Sequence, residues 1–353
     1  MTDSKPPKVS IIVTLYNAKQ FVETCINSIL LQTFKDFEAV VVDDISTDGS
    51  YELVRDKYCN PSSENYDSRV KLFRNETNSG FGGRNADRAL KFIQPSEYVY
   101  MMSGDDGIVE NAIETLVTAA DESHADIVSM DGHFVAGEEF QIPGVIQIQR
   151  SSPPSHPPRM LSEDLATRMQ EELLDFYGVM AVEWAKLFRR DFLIDNKIYH
   201  PKVLGIEDFF HNFACLCLAK RFRVIQASLY VYRQNSQSVM HVSAENHVRK
   251  TVLGMAEGIR FMEEVFSKNL ISPISRENQI LLESFTIFYL IHQRITRYGL
   301  SPLDLNKVLE EIINQDSTID PNITRLLIQS MNQILKYVFF HTDNMLTPFD
   351  LTR

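Results

Sequence analysis

The sequence predicts an α/β protein, with a mainly parallel central sheet flanked by helices and an all-helical C-terminal module. Three observations predict it. Apolar runs of strand length alternate with stretches of helical spacing from residue 8 to about 135. Two of those runs end in acidic pairs, Asp43-Asp44 and Asp105-Asp106, and in open α/β sheets ligands bind at the carboxyl ends of strands. From about Ala244 onward the spacing is wholly helical.

Val9 to Leu15 reads as a buried strand, and Lys19 to Leu31 as a helix with Phe21, Cys25 and Ile29 on one face. Glu38 to Val42 is the next strand. Ser46 to Tyr58 reads as a helix opened by capping residue types, Ser46, Thr47 and Asp48. Strand Val70 to Phe73, helix Arg84 to Phe92, strand Tyr98 to Met102, helix Asn111 to Asp121 and strand Asp126 to Met130 continue the alternation. Single helices between strands imply right-handed βαβ units. The run Ser151-Ser152-Pro153-Pro154-Ser155-His156-Pro157-Pro158 excludes regular helix and central strand, so residues 136 to 160 form a loop or linker. Helical spacing returns from Leu161 to Tyr177. Ser275, Ser301-Pro302 and Asp320-Pro321 are helix starts in a C-terminal module of about four helices.

With 353 residues the chain can bury a large core and hold more than one domain. A net charge of -12 argues against generic nucleic-acid binding, which needs Lys and Arg to neutralise phosphate. The polar start, Met1 to Lys8, lacks the apolar core of a signal peptide, and no run of roughly 18 to 20 apolar residues appears. The expected place is the cytoplasm, with peripheral attachment to the inner face of the cell membrane as an option. Cys25, Cys59, Cys215 and Cys217 lack metal-binding spacing and read as free thiols.

A third acidic pair, Glu207-Asp208, stands in Gly205-Ile206-Glu207-Asp208-Phe209-Phe210. Taken alone, each pair has an ordinary structural reading. Asp44 can cap a helix, Asp105-Asp106-Gly107 uses turn residues, and Glu207-Asp208 suits the start of a helix. Likewise Arg84, after Gly80-Phe81-Gly82-Gly83, is either a ligand contact or a surface ion pair. His211, four residues past Glu207, shares its face on a helix and reads first as a satisfied histidine.

The ordered set of motifs resembles family-2 glycosyltransferases. It comprises Val9-Ser10-Ile11-Ile12-Val13-Thr14-Leu15-Tyr16-Asn17, then Phe37 through Ser50, then Asn78-Ser79-Gly80, Arg84-Asn85 and Ser103-Gly104-Asp105-Asp106. Trp184 through Arg190, Glu207-Asp208 and Tyr232-Arg233 complete it, so the likeness covers about residues 8 to 240. The resemblance implies a GT-A (Rossmann-like) catalytic domain over 1–245. Its nucleotide-sugar half spans about 8–135 and its acceptor half 136–245, with a helical domain over 246–353. It implies inverting transfer of a sugar from a nucleotide-diphosphate donor, by preference a UDP-sugar, to a hydroxyl of a glycan, glycopolymer or lipid-linked acceptor.

The roles it implies fall residue by residue. Thr14, Leu15 and Tyr16 contact the base or ribose, although the family usually has Pro where Thr14 stands. Asp44 meets the uracil ring, and Asn78, Arg84, Ser103, Gly104 and Arg233 complete the donor site. Asp105, with Asp106 sharing the duty, holds a divalent Mn or Mg ion through oxygen ligands. His241 is a further candidate ligand near the diphosphate. Asp208 is the general base and Glu207 its orienting partner or substitute. The sequence departs from the pattern at Ser103, where the motif usually has an acid, which puts metal dependence in question. That departure motivates a second reading, a binding or scaffold protein that keeps the fold, loses the chemistry and assembles with another transferase. The C-terminal helices leave a homo-oligomer and a peripheral membrane dock open as roles.

Overall fold

The computed structural model describes residues 5–140, 148–152, 158–163, 182–202, 207–234 and most of 258–268. Along the chain these residues form β1 (Val9–Leu15), α1 (Val22–Leu30), β2 (Phe37–Asp43), α2 (Ser50–Val54), β3 (Val70–Arg74) and α3 (Gly82–Ala89). There follow β4 (Tyr98–Ser103), β5 (Gly107–Ile108), α4 (Ala112–Ser123), β6 (Ile127–Ala136), β7 (Ile148–Ser152) and β8 (Arg159–Met160). The last are β9 (Lys186–Arg189), α5 (Arg190–Asp195), α6 (Glu207–Leu218) and β10 (Phe222–Arg233).

The sheet is built outward from β1, whose residues Val9, Ile11, Ile12 and Val13 are fully buried. Burial on both faces explains why this strand reads as a continuous apolar run rather than an alternation. It pairs in parallel with β2 on one side and β4 on the other, with Leu15 opposite Asp43 and Thr14 opposite Ser103. β3 extends the parallel half beside β2. This is the half that the sequence foresaw, strand for strand.

Beyond β4 the sheet becomes mixed. The strand order is β3-β2-β1-β4-β9-β6-β10-β5. β9 runs antiparallel to both of its neighbours, with Val99 opposite Phe188 and Val128 opposite Leu187. The expectation of a mainly parallel sheet holds for β3-β2-β1-β4 and is modified here by an insertion from far along the chain. Four residues are too few to show a strand period, and only neighbours on both sides make β9 one. β7 pairs the edge of β6, and Ser151 and Ser152 lie in it. An edge strand is compatible with the prolines that follow.

The expected helix from Ser46 to Tyr58 is shorter than foreseen. Its α-helical part is α2, continued by a wider π turn over Arg55–Cys59. The capping residues ahead of it are spent on loop bonds. The Asp43 carboxylate accepts from the Ser46 N–H, Ser46 Oγ accepts from the Asn17 N–H at 2.9 Å, and Asp48 Oδ1 accepts from the Ser50 N–H at 2.9 Å. Such side-chain bonds to backbone compete with helix formation.

The backbone falls into two compact units, Met1–His200 with His211–Ser238, and Pro201–Phe210 with Val239–Arg353. Within the second, Phe210 lies where a Cβ on Gly258 would come to 2.0 Å, and Phe261, Met262 and Val265 are buried. Most of the predicted C-terminal helical module, and most of the helix expected over Leu161 to Tyr177, lie outside the described residues. No helix among the described residues is long and apolar enough to cross a membrane.

Because Ile11 is fully buried in the principal core, Ile11→Ala should lower stability by about 2–5 kcal/mol. A shift of the urea unfolding midpoint to lower concentration checks this, and an unchanged midpoint would contradict it.

Candidate active site

The three adjacent parallel strands β2, β1 and β4 all end at one edge, and the chain crosses that edge in three loops. The Asp44 N–H donates to the Leu15 carbonyl at 2.8 Å, and the Gly104 N–H donates to the Thr14 carbonyl at 2.9 Å. Thus the last two carbonyls of β1 are held between the two acid-bearing loops. A Cβ on Gly104 would lie 3.1 Å from both the Thr14 carbonyl and the Leu15 side chain. Glycine is the residue that fits this approach.

The β1 and β2 loops are joined to each other. Asn17 and Ile45 adopt left-handed backbone, with φ of 46° and 65°. For β-branched Ile45 this is a strained conformation. Asn17 Oδ1 accepts from the Thr47 N–H at 2.8 Å, closing the link. On this braced floor Tyr16 projects outward, 56% exposed.

Asp44 is 4% exposed, and its carboxylate is a hub. It accepts from the Ser79 N–H and hydroxyl and from Asn75 Nδ2, and the Arg88 guanidinium stands 3.7 Å away. Asn78 Nδ2 donates to the Asp44 carbonyl at 2.8 Å. Asp44 therefore anchors the loop that leads to α3 and Arg84. Arg84 is half-buried, over the Phe81 ring, with one weak bond to the Ser79 carbonyl at 3.4 Å. Helix capping, the plain alternative for Asp44, is not its role, since Gly49 stands at the N-cap of α2 and no side chain caps it.

At the end of β4 the acids turn opposite ways. Asp106 is 3% exposed, and accepts from the Tyr230 hydroxyl at 2.6 Å and the Arg233 N–H at 2.7 Å. Burial first, and the neighbouring Asp105 charge second, push its carboxyl well above the usual range. Asp105 is partly exposed and accepts from the Ser103 hydroxyl at 2.5 Å. Arg233, 1% exposed, donates through Nε to the Asp105 carbonyl and through Nη1 to the Glu138 carbonyl. Its guanidinium packs between the Phe21 and Phe140 rings, and Nη2 finds no hydrogen-bond partner among the described residues. Arg233 thus grips the Asp105 backbone from inside. Trp184 stacks on Tyr230 at 4.2 Å and its carbonyl accepts from the Tyr100 hydroxyl, so this landmark buttresses the same corner.

The structure brings Thr14, Leu15, Tyr16, Asp44, Asn78, Arg84, Ser103, Gly104, Asp105, Asp106 and Arg233 to the strand ends of the first unit. Glu207 and Asp208 form the first turn of α6, with Glu207 buried. They fall in the second unit. His241 lies outside the described residues. Sequence reasoning missed Tyr230, whose only signal was membership of an apolar run, and Glu183, His200 and Asp87, which nothing in their spacing connects.

A family model described as Glycosyl transferase family 2 matches residues 10–194. The chain belongs to this family. The resemblance read from its ordered motifs is borne out at the level of the family. Poly(ribitol-phosphate) beta-N-acetylglucosaminyltransferase TarS of Staphylococcus aureus (strain MW2) is 30% identical over 228 residues, covering 64% of this chain and 35% of that one. This chain therefore matches about a third of the length of that relative. An uncharacterized glycosyltransferase, EpsJ of Bacillus subtilis (strain 168), is 25% identical, covering 69% of this chain and 67% of the other. Among solved structures, S. aureus TarS 1–349 superposes with a TM-score of 0.61 at 21% identity, covering 94% of this chain and 87% of that one. The same protein in complex with UDP-GlcNAc gives 0.60 at 23% identity, covering 94% and 87%. These likenesses establish the fold.

The inward turn of Asp106 makes its carboxyl part of the folded core. Asp106→Ala strands the Tyr230 hydroxyl and the Arg233 N–H in the interior and should cost at least about 1–3 kcal/mol. Asp106→Asn keeps an acceptor for the Arg233 N–H and should stay close to wild type at neutral pH. The sign follows from the raised folded pKa. Any stability tied to the protonated acid is present at low pH and is lost as pH rises through that value, a loss that Asn removes. Thermal melts of the three proteins across pH check both parts.

Proposed function

We propose that this chain transfers a sugar, with inversion, from a UDP-sugar to a hydroxyl of a glycan, glycopolymer or lipid-linked acceptor. The observation that carries the reading is the arrangement at the ends of β2, β1 and β4. An exposed Tyr16 stands on a rigid floor between the loops of Asp44 and Asp105, with the Arg84 guanidinium nearby. An aromatic face offers stacking to a nucleobase, and a guanidinium suits phosphate. The relative TarS, whose solved structures include a UDP-GlcNAc complex, supports uridine as the base. The domain division 1–245 and 246–353 belongs to the same reading.

A divalent metal fits the donor set. Asp105 is the outward acid and Ser103 Oγ lies beside it, both hard oxygen ligands of the kind Mn and Mg prefer. Asp106 has its oxygens bonded inward, so Asp105 is the ligand of the pair. Bound there, the ion would neutralise charge on the departing diphosphate. The chain's own residues do the rest. Arg84 holds phosphate oxygens, Tyr16 and Asp44 set the base, and the Arg233 clamp keeps the Asp105 backbone in place. Asp208, assigned by its order among the family motifs, accepts the proton of the attacking hydroxyl, and Glu207 orients it. A nearby carboxylate is the group such a step needs, and holding donor and acceptor in line supplies much of the rate.

Asp208→Asn should reduce transfer by about 10²–10⁴-fold while leaving UDP affinity within a factor of two or so of wild type. Radiometric transfer assays beside calorimetric UDP titrations read both, and a fully active variant would move the base elsewhere. UDP should bind more tightly with Mn than with EDTA, and Asp105→Asn should erase the difference. Equal affinity in both buffers for the wild type would remove the metal from the reading.

A further inference from the structure

One cluster of buried ionisable groups is used neither by the strand-end site nor by the core. His200 Nδ1 contacts Asp87 Oδ1 at 2.8 Å, and the His200 backbone N–H donates to Asp87 Oδ2 at 2.8 Å. On the opposite side of the ring, Nε2 is hydrogen-bonded to the Glu183 carboxylate. Each ring nitrogen thus faces a carboxylate acceptor. A neutral imidazole carries one N–H, whereas the imidazolium carries two, so this geometry is satisfied by the charged ring.

The ring is also wedged between two elements. A Cβ on Gly83, in the first turn of α3, would come 2.4 Å from His200 Cδ2. On the other face the His211 ring of α6 stacks at 3.9 Å and 8°, and His211 in turn meets Phe188 of β9 edge-on. Glu183, His200 and His211 offer ligand atoms within 4.8 Å of one another, the spacing of a metal site. The parallel stack opposes that use. Ring nitrogens direct their lone pairs within the ring plane, and two parallel planes do not converge on one ion. Lys186, fully buried and close enough to bear on His211, already adds a cation.

We propose that His200, held as an imidazolium between Asp87 and Glu183, is a positioning residue for the transfer reaction. It fixes the first turn of α3, which carries Arg84. This rests on the role given above to Arg84.

The charged groups around His200 agree with it. Asp87 faces it from α3, Glu183 from the turn before β9, Lys186 from β9, and His211 and Cys215 from α6. Burial alone would lower the His200 pKa, but the charges of Asp87 and Glu183 and the bonds to them hold it well above the ordinary histidine value. Burial, then the neighbouring His200 charge, keep His211 well below it. The His200 contribution is therefore complete below the unfolded value of about 6.5 and is lost as pH rises through the raised folded value.

The test uses the full chain. In the wild type, long-range proton–nitrogen NMR should show the His200 ring as imidazolium at pH 7.5, a readout independent of any transferase activity. Glu183→Gln and Asp87→Asn keep shape and remove one charge each. Their alkaline limbs, in UDP affinity and in kcat/KM for the donor, should move down by at least about one pH unit. Gly83→Ala, which displaces the ring without removing a polar group, should weaken UDP binding at all pH values. A neutral His200 ring at pH 7.5, alkaline limbs unmoved in both charge variants, or stoichiometric zinc that survives dialysis and is lost in His200→Ala would each overturn the proposal. A wild type that binds UDP but turns over no donor would count against the transferase assignment. The spectrum and the UDP titrations would still decide His200.

Discussion

Burying one carboxylate in the turn after β4 is the constraint on which the strand-end site depends. In the turn between β4 and β5 Asp106 is buried while Asp105 stays partly exposed. The interior must then satisfy a carboxylate, and it does so with the Tyr230 hydroxyl and the Arg233 N–H. Tyr230 is itself fixed by the Trp184 ring, and Arg233 returns its Nε–H to the Asp105 carbonyl. The outward acid is held by its own backbone, from below, by a guanidinium that solvent does not reach. A site residue supported in this way keeps its geometry before any ligand arrives.

The neighbouring loops follow the same logic with a different device. Ile45 and Asn17 sit in left-handed backbone, and each such residue stores roughly 1–3 kcal/mol of strain when it is not glycine. The bonds Asn17 to Thr47 and Ser46 to Asn17 over-determine both turns, and Asp44 ties the second of them to the segment before α3. Rigidity is thus placed under Tyr16 and Asp44, while Tyr16 itself remains open to solvent.

Much of this was legible in the sequence, and the reason is local. Strands β1, β2 and β4 are buried on both faces, so they appear as unbroken apolar runs, and the acids after them mark the edge at which the runs stop. The motif order, which depends only on residue identity, gave the family. Less legible were elements whose existence depends on partners. β9 has four residues and is a strand because β4 and β6 flank it. The helix after Asp44 is shortened because Asp43 and Ser46 bond within the loops and Asp48 reaches only the first helical residue, Ser50.

By itself, then, the sequence determined the fold class, the family and the loops that meet at the strand ends, because hydrophobic period and motif spacing are properties of neighbouring positions. Only the tertiary structure decided which acid of a pair faces solvent. It also showed that Asp44 and Arg233 are bound into the scaffold, and that Asp87, Glu183, His200 and His211 meet at all. Those outcomes depend on burial and on hydrogen-bond partners up to more than a hundred residues away, and nothing in the linear spacing of a chain records which distant groups share its interior.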